Sequence, residues 1–113
     1  MRFYGDRSEA DQAAVFVAHY DKWMVGFAYM EYEPVLYAEL ATNVAWLHDI
    51  YVDLDARGKG TGRALLAAVS EAAKGLGANK VLLSVANGNV AGQRFFQQSG
   101  YRTTMLEMML ELE

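Results

Sequence analysis

The amino-acid sequence predicts a single domain of the mixed α/β class over residues 1–113. The first half carries runs of aromatic and β-branched residues that are typical of strands. Two later segments repeat apolar residues at helical spacing. A length of 113 residues suits one small domain. The predicted order is β-β-β-α-β-α-β, an antiparallel hairpin followed by a strand–helix–strand crossover with parallel strands.

The first elements are predicted to be an antiparallel hairpin and a third strand. Residues 13–20 and 23–32 are rich in aromatic and β-branched residues, and only two residues separate them. Pro34 is expected to end the second strand, because proline has no N–H to donate to a ladder. The third strand is predicted over residues 44–53.

A helix and a buried strand come next in the prediction. The helix covers residues 61–75, in which Leu65, Leu66 and Val69 recur at helical spacing. The stretch Gly75-Leu76-Gly77 at its end is a stop signal. The strand is predicted over residues 80–86, a short apolar run.

The C-terminal part is predicted to add one more helix and one more strand. The helix covers residues 89–98, and Asn89 is a good residue for its N-terminal cap. Residues 101–113 are predicted to form the final strand, because leucine and methionine share one face there and glutamates share the other.

The composition and the net charge argue against several classes of function. The formal charge is −4, so a nucleic-acid surface, which needs a net basic face, is not expected. No apolar run reaches the length of about 20 residues that a bilayer span requires, and no signal peptide is visible. We therefore expect a cytoplasmic protein without a membrane partner. The absence of cysteine excludes disulfides and thiolate metal sites, and no metal ligand set is predicted.

A basic, glycine-rich turn leads directly into the first predicted helix. Its residues are Arg57, Gly58, Lys59, Gly60, Thr61, Gly62 and Arg63. The three glycines let the backbone approach a ligand closely and turn successive N–H groups into one concavity. The helix N-terminus adds the positive end of its dipole, and the three basic side chains add charge. The turn therefore predicts an anion site that suits a pyrophosphate.

Two common phosphate motifs do not match this turn. A Walker A loop fails because no Ser or Thr follows a Gly-Lys pair. The G-x-G-x-x-G dinucleotide fingerprint fails because Arg63 stands where the last glycine belongs. On the glycines alone, a flexible and solvated basic turn remains an alternative.

Two motifs together resemble the GNAT acetyltransferase superfamily. Arg57-x-x-Gly60-x-Gly62, between a strand and a helix, resembles the acyl-CoA pyrophosphate loop (Q/R)-x-x-G-x-(G/A). Residues 89–101, NVAGQRFFQQSGY, resemble the following motif N-x-x-A-x-x-(L/F)-Y-x-x-x-G-(F/Y). The resemblance covers residues 13–113. It implies a GNAT-like mixed sheet that lacks the usual first strand and two N-terminal helices.

The resemblance implies that acetyl-CoA binds between two splayed strands, 44–53 and 80–86. Backbone groups of the first strand would bond the pantetheine arm, and the Ile50 amide would polarise the acetyl carbonyl. Backbone amides of the glycine-rich turn would hold the pyrophosphate. The implied cofactor-binding residues are Ile50, Tyr51, Val52, Arg57, Gly58, Lys59, Gly60, Thr61, Gly62, Arg63, Asn89 and Phe96.

The implied reaction transfers an acetyl group to a primary amine of a small molecule or peptide. The amine must be neutral to attack, so a general base helps. Polyamine acetyltransferases of this family carry a Glu before the D-(I/L)-Y-V segment, and here that position is His48, the predicted catalytic base. Alternatively His48 is a strand histidine that packs on Trp46. Asp49 points to the opposite face unless a bulge intervenes.

Two departures from the family pattern affect the expectations. Phe96 stands where the family commonly has a Tyr that protonates the departing thiolate, so Tyr51 or water would have to replace it. Few residues precede 13–20, so this strand is expected to be an exposed apolar edge, and such edges associate. The resemblance therefore leads us to predict a homodimer, or a higher oligomer, through this edge.

The sequence leaves three functions open. The first is an acetyl-CoA-dependent N-acetyltransferase, and the second is a catalytically degenerate acyl-CoA-binding or regulatory module. The third is a structural or interaction domain whose turn binds nothing. The acidic residues Glu31, Glu33 and Glu39 either attract a cationic amine or form a solvated face.

Overall fold

The computed structural model describes residues 2–7, 12–36 and 41–112. Its elements are β1 (Arg2–Arg7), β2 (Ala13–Tyr20), β3 (Trp23–Leu36), β4 (Ala41–Val52), a short 3₁₀ helix (Leu54–Ala56), α1 (Thr61–Gly75), β5 (Lys80–Leu82) and α2 (Val90–Gln98). The strands form one sheet in the order β1-β2-β3-β4-β5, antiparallel except for the parallel β4–β5 pair. The predicted mixed α/β class is confirmed. No helix in these described ranges combines the length and the apolar character needed to cross a bilayer.

One face of the sheet and helix α1 form the core. The helix contributes the buried side chains of Leu65, Leu66 and Val69, as its apolar spacing predicts. The strands meet it with small residues, since the core-facing positions of β2 to β4 include four buried alanines. Because alanine projects little from the sheet, the helix lies close to the strands and its leucines fill the space between them.

Gly26 in β3 lets α1 approach the sheet. A Cβ atom at this position would lie 2.7 Å from the Tyr51 carbonyl oxygen and 3.3 Å from a methyl carbon of Leu65. Real Cβ atoms do not come so close to backbone, so the position requires glycine for reasons of space. The first turn of α1 is therefore seated directly on β3 and β4.

Strand β3 is longer than predicted. Pro34 was expected to end it, but the pairing with β4 continues beyond the proline, through Val35 opposite Thr42. Pro34 itself is left out of the ladder, and so is Asn43, whose positive φ of 55° interrupts β4 there. The missing N–H of proline therefore costs no ladder hydrogen bond.

The N-terminal prediction is wrong in one respect. Residues 13–20 were expected to be an exposed edge, but β1 pairs antiparallel with β2 along the strand, from Arg2 opposite His19 to Arg7 opposite Ala14. A strand thus precedes the hairpin where none was predicted. The polar composition of the first residues concealed it, because an outer strand needs little apolar surface.

The C-terminal predictions are also corrected. Residues 101–112 carry no regular secondary structure, although a final strand was predicted over 101–113. Strand β5 ends at Leu82 instead of continuing to residue 86. The apolar alternation was present, but a strand also needs a hydrogen-bonded partner, and the sheet of described strands does not include this segment. Its apolar side chains are exposed, with Leu106 at 73% and Met108 at 86%.

Replacing a buried leucine and an exposed leucine by alanine should have very different effects on the free energy of unfolding. Leu65→Ala should lower the free energy of unfolding by about 2–5 kcal/mol, because it leaves a cavity under α1. Leu54→Ala removes the same atoms from a side chain that is 76% exposed, so it should change stability little. Urea denaturation of the two variants measures the contrast. Equal losses would mean that α1 does not pack as described.

Candidate functional site

A cleft opens where β4 and β5 part. The two strands pair only from Val44 opposite Lys80 to Trp46 opposite Leu82. Beyond this point they separate, and a cavity of about 230 Å³ lies between them. It is lined by Leu47, His48, Asp49, Ile50, Leu83, Ser84, Val85, Ala86, Asn89 and Phe96. Four residues predicted from sequence, distant along the chain, therefore share one cleft: His48, Ile50, Asn89 and Phe96.

A bulge in β4 sets which side chains face the open side of the sheet. Tyr29 pairs with Asp49 and Met30 pairs with Leu47, so His48 is an extra residue without a ladder partner. Before the bulge Leu47 faces the core, and after it Ile50 does. Asp49, which regular alternation would turn toward α1, therefore lies on the same side of the sheet as Tyr29.

His48 belongs to a small cluster on this open face. Its Nε2 atom lies 3.5 Å from a carboxylate oxygen of Glu31, and the two side chains are 37% and 38% exposed. Its ring centroid lies 5.5 Å from that of Tyr29 and 6.3 Å from that of Trp46. The packing on Trp46 that was offered as an alternative is thus present, but it coexists with a polar contact.

The Tyr29 hydroxyl is bound by the same carboxylate. Tyr29 donates a hydrogen bond to Oε1 of Glu31, while Oε2 is the oxygen that faces His48. This hydrogen bond raises the pKa of Tyr29 above its ordinary value. Burial and the negative charges of Glu31 and Asp49 raise it further. Tyr29 therefore remains a hydrogen-bond donor at neutral pH.

The glycine-rich turn has the backbone geometry that an anion site requires. Gly58 and Gly60 have positive φ of 78° and 84°, which side chains disfavour. Gly60 is the N-cap of α1, and no side chain caps this helix end, so its first N–H groups point outward without a side-chain partner. The Thr61 hydroxyl is buried without a hydrogen-bond partner among the described residues. The outward-facing N–H groups of this helix end are the donors that fit a pyrophosphate, whereas the Thr61 hydroxyl is enclosed between α1 and the sheet.

Arg57 has a structural contact in addition to its charge. Its Nε donates a hydrogen bond of 3.1 Å to the Val52 carbonyl oxygen, which ties the turn to the end of β4. Tyr51, proposed as a replacement proton donor, lies outside the cleft lining. A hydrogen bond with Asp53, then the charge of Asp53 and burial, raise the pKa of Tyr51, and the charge of Arg57 opposes them. The side chains of Tyr51 and Val52 thus do not line the cleft, although backbone contacts were the role predicted for them.

Helix α2 closes the other end of the cleft. Asn89 caps it as predicted, accepting a hydrogen bond of 2.9 Å from the Gly92 N–H. A Cβ at Gly62 would lie 2.9 Å from Phe95, whose ring centroid is 5.1 Å from that of Phe96. The turn at α1 is thereby linked through two phenylalanines to the cleft wall.

Two members of the site, Tyr29 and Glu31, were not predicted from the sequence. Tyr29 was not singled out, and Glu31 was weighed only as a solvated acid or an attraction for amines. The signal available was their spacing, since residues two apart on a strand share a face. The bulge brings His48 to the same face as Tyr29 and Glu31, and no sequence pattern predicts this bulge.

These features define a class of fold: a mixed sheet whose two parallel strands splay beside a glycine-rich turn at a helix N-terminus. Residues 2–101 match the acetyltransferase (GNAT) family, and the chain belongs to this family. The resemblance identified from the two motifs is therefore confirmed.

Individual relatives agree with this assignment. The uncharacterized N-acetyltransferase YycN of Bacillus subtilis (strain 168) is 29% identical over 92 residues, which are 81% of this chain and 56% of YycN. The chain thus spans a little over half the length of this relative.

Two solved structures share the fold. The aminoglycoside N-acetyltransferase AAC(6')-Iy, solved with a bisubstrate analog, superposes with a TM-score of 0.82 over 93% of this chain and 72% of its own, at 24% identity. The aminoglycoside 6'-N-acetyltransferase AAC(6')-IG of Acinetobacter haemolyticus superposes with a TM-score of 0.78. The superposition covers 90% of this chain and 71% of that one, at 18% identity. At these identities the likeness concerns the fold.

Alanine substitutions at two glycines of α1 should change stability in opposite directions, because Gly62 contacts Phe95 and Gly75 has open space around it. Gly62→Ala should destabilise the protein by about 1–3 kcal/mol, because the new methyl group collides with the Phe95 ring. Gly75→Ala has open space and should stabilise the helix by up to about 1 kcal/mol. Thermal unfolding of both variants measures the difference. A stabilising Gly62→Ala would contradict the close packing of α2 on the turn.

Proposed function

We propose that this chain is an acetyl-CoA-dependent N-acetyltransferase that acts on a primary amine of a small molecule or peptide. The observation that supports the proposal is the cleft between β4 and β5, which the His48 imidazole lines, together with the glycine-rich turn at the N-terminus of α1. Names of structural neighbours support an amine acceptor, since two are aminoglycoside N-acetyltransferases and one was solved with a CoA–neamine analog.

The residues that would hold the donor are those of the turn and the cleft. Backbone amides of Gly58 to Arg63 would bind the pyrophosphate. The pantetheine arm would lie along β4 from Ile50 to Val52, with Asn89 and Phe96 opposite. Bound in this way, acetyl-CoA supplies an activated acyl group for amide formation, with CoA thiol as the other product.

The chain's own contribution would be positioning and proton transfer. The Ile50 amide would donate a hydrogen bond to the carbonyl oxygen, where negative charge develops. His48 would take the proton that the amine loses as its nitrogen acquires the acyl group. Asp49 on the same face would favour a cationic amine over a neutral one at the entrance.

Phe96 favours one other function. It lines the cleft at the position where the family commonly has a tyrosine, and it offers no proton to a leaving thiolate. A module that binds acyl-CoA and does not turn it over would need no such donor. A thiolate whose conjugate thiol has a pKa of about 8.5 is a tolerable leaving group without an acid, and it takes its proton from water afterwards, so we place the enzyme first.

The cellular location and the oligomeric state of the protein stay predictions. We propose a cytoplasmic protein that forms a homodimer, although β1 covers the edge first assigned to the contact. Exposed apolar side chains between Met105 and Leu112 give continued support to an association.

Titration of acetyl-CoA into the intact chain tests the proposal first. We expect micromolar binding at one site per chain, and amine-dependent release of free thiol with a panel containing an aminoglycoside, a polyamine and a peptide amine. Binding without thiol release would favour the non-catalytic module. A chain that binds no acetyl-CoA at millimolar concentration would overturn both functions.

The base role of His48 predicts a specific loss. His48→Ala should lower the rate of amine acetylation by about 100-fold or more, and acetyl-CoA affinity should persist because the anion-binding turn is intact. The control is His19→Gln, which changes the other histidine of the chain, in β2. Calorimetry and steady-state kinetics on the same preparations separate binding from turnover. Retained activity in His48→Ala would exclude His48 as the base.

A further inference from the structure

Glu31 contacts two groups with two separate oxygens. Its Oε1 accepts the hydrogen bond from Tyr29, and its Oε2 lies 3.5 Å from Nε2 of His48. Tyr29 and Glu31 are two residues apart on β3, and His48 projects from the bulge of the neighbouring strand. The carboxylate is therefore anchored on one side and presented to the imidazole on the other.

His48 needs such a contact because the sheet does not fix it. As the extra residue of the bulge, it has no ladder partner on β3. The rings of Tyr29 and Trp46 limit where the imidazole plane lies. Ring contacts do not decide which nitrogen carries the proton, since that depends on the hydrogen-bonding group next to each nitrogen.

The carboxylate of Glu31 favours one of the two positions of the proton on the His48 ring. An ionised carboxylate only accepts hydrogen bonds, so it favours the imidazole form that has its proton on Nε2. Nδ1 is then the unprotonated nitrogen of the neutral ring. Asp49 is a further ionisable neighbour on this face, and Glu33 and Tyr51 follow by strand alternation. Among the described residues that line the cleft, Leu83 to Ala86 on the β5 side carry no ionisable side chain.

We propose that Glu31, anchored by Tyr29, is a positioning residue that holds the Nε2 proton of His48 and leaves Nδ1 to accept the proton of the attacking amine. The inference rests on the proposed function and deepens it. When Nδ1 takes that proton the ring becomes an imidazolium, and the carboxylate of Glu31 stabilises the new charge. Both side chains are more than one third exposed, so the gain lies mainly in orientation.

Kinetics of Glu31→Gln test the positioning role. With the best amine of the panel, kcat should fall about tenfold, because misplacement of the base weakens general-base catalysis. KM for the amine and affinity for acetyl-CoA should stay unchanged. Glu71→Gln removes the same charge from an exposed pair with Lys74 on α1 and should leave all three quantities unchanged.

A double-mutant comparison separates this role from binding of the amine. If Glu31 acts through His48, Glu31→Gln should cause no further loss in a His48→Ala background. A second full loss there, or an effect confined to KM, would overturn the proposal, because Glu31 would then act on the amine itself.

Two readouts do not depend on turnover. In Glu31→Gln the pKa of Tyr29 should fall toward its ordinary value, because the charged acceptor of its hydrogen bond is gone. The difference in tyrosinate absorbance between chains with and without Tyr29→Phe measures it. An unchanged Tyr29 pKa would overturn the anchoring.

The second readout is the NMR signals of the His48 ring, assigned by the His19→Gln variant. They should shift in Glu31→Gln and not in Glu71→Gln. If the intact chain shows no turnover, the proposed function fails, and these ring signals then decide whether Glu31 holds the imidazole.

Discussion

The bulge in β4 is the constraint on which the rest of the site depends. A regular strand would give His48 and Asp49 opposite faces, and one of them would have to enter the apolar layer under α1. The extra residue at His48 changes the alternation, so that Leu47 before it and Ile50 after it both face the core. The helix thus covers an unbroken apolar surface while both polar side chains remain on the open side of the sheet.

The second requirement is that the glycine-rich turn be held at a fixed place relative to the cleft. Three contacts provide this: α1 seats on the sheet at Gly26, Arg57 bonds the last carbonyl of β4, and Phe95 of α2 packs against Gly62. Each depends on a residue of a particular size or hydrogen-bonding capacity. The turn itself can then remain without side-chain caps, which leaves its N–H groups for a ligand.

The sequence predicted those elements whose signals are local. Helix α1 begins and ends at the predicted residues, because a glycine-rich turn precedes its apolar stripe and two glycines follow it. Strand β2 has the predicted bounds because a two-residue turn fixes its end. The failures concern pairing. β1 is a polar segment that becomes a strand beside β2, and residues 101–112 alternate correctly without a described neighbour. The cleft was anticipated, but the contact of Glu31 with His48 was not, since it depends on a shift in register.

The two walls of the cleft differ in chemistry, and this difference has a consequence for the proposed reaction. The β4 wall carries His48 and Asp49, backed by Glu31, whereas the opposite wall presents Leu83, Val85 and Phe96 with Ser84 as its hydroxyl. Among the described residues that line the cleft, the ionisable side chains therefore lie on the β4 side. A phenylalanine at position 96 then fits a site that relies on a well-placed base and an intrinsically good thiolate leaving group, with no acid opposite the base.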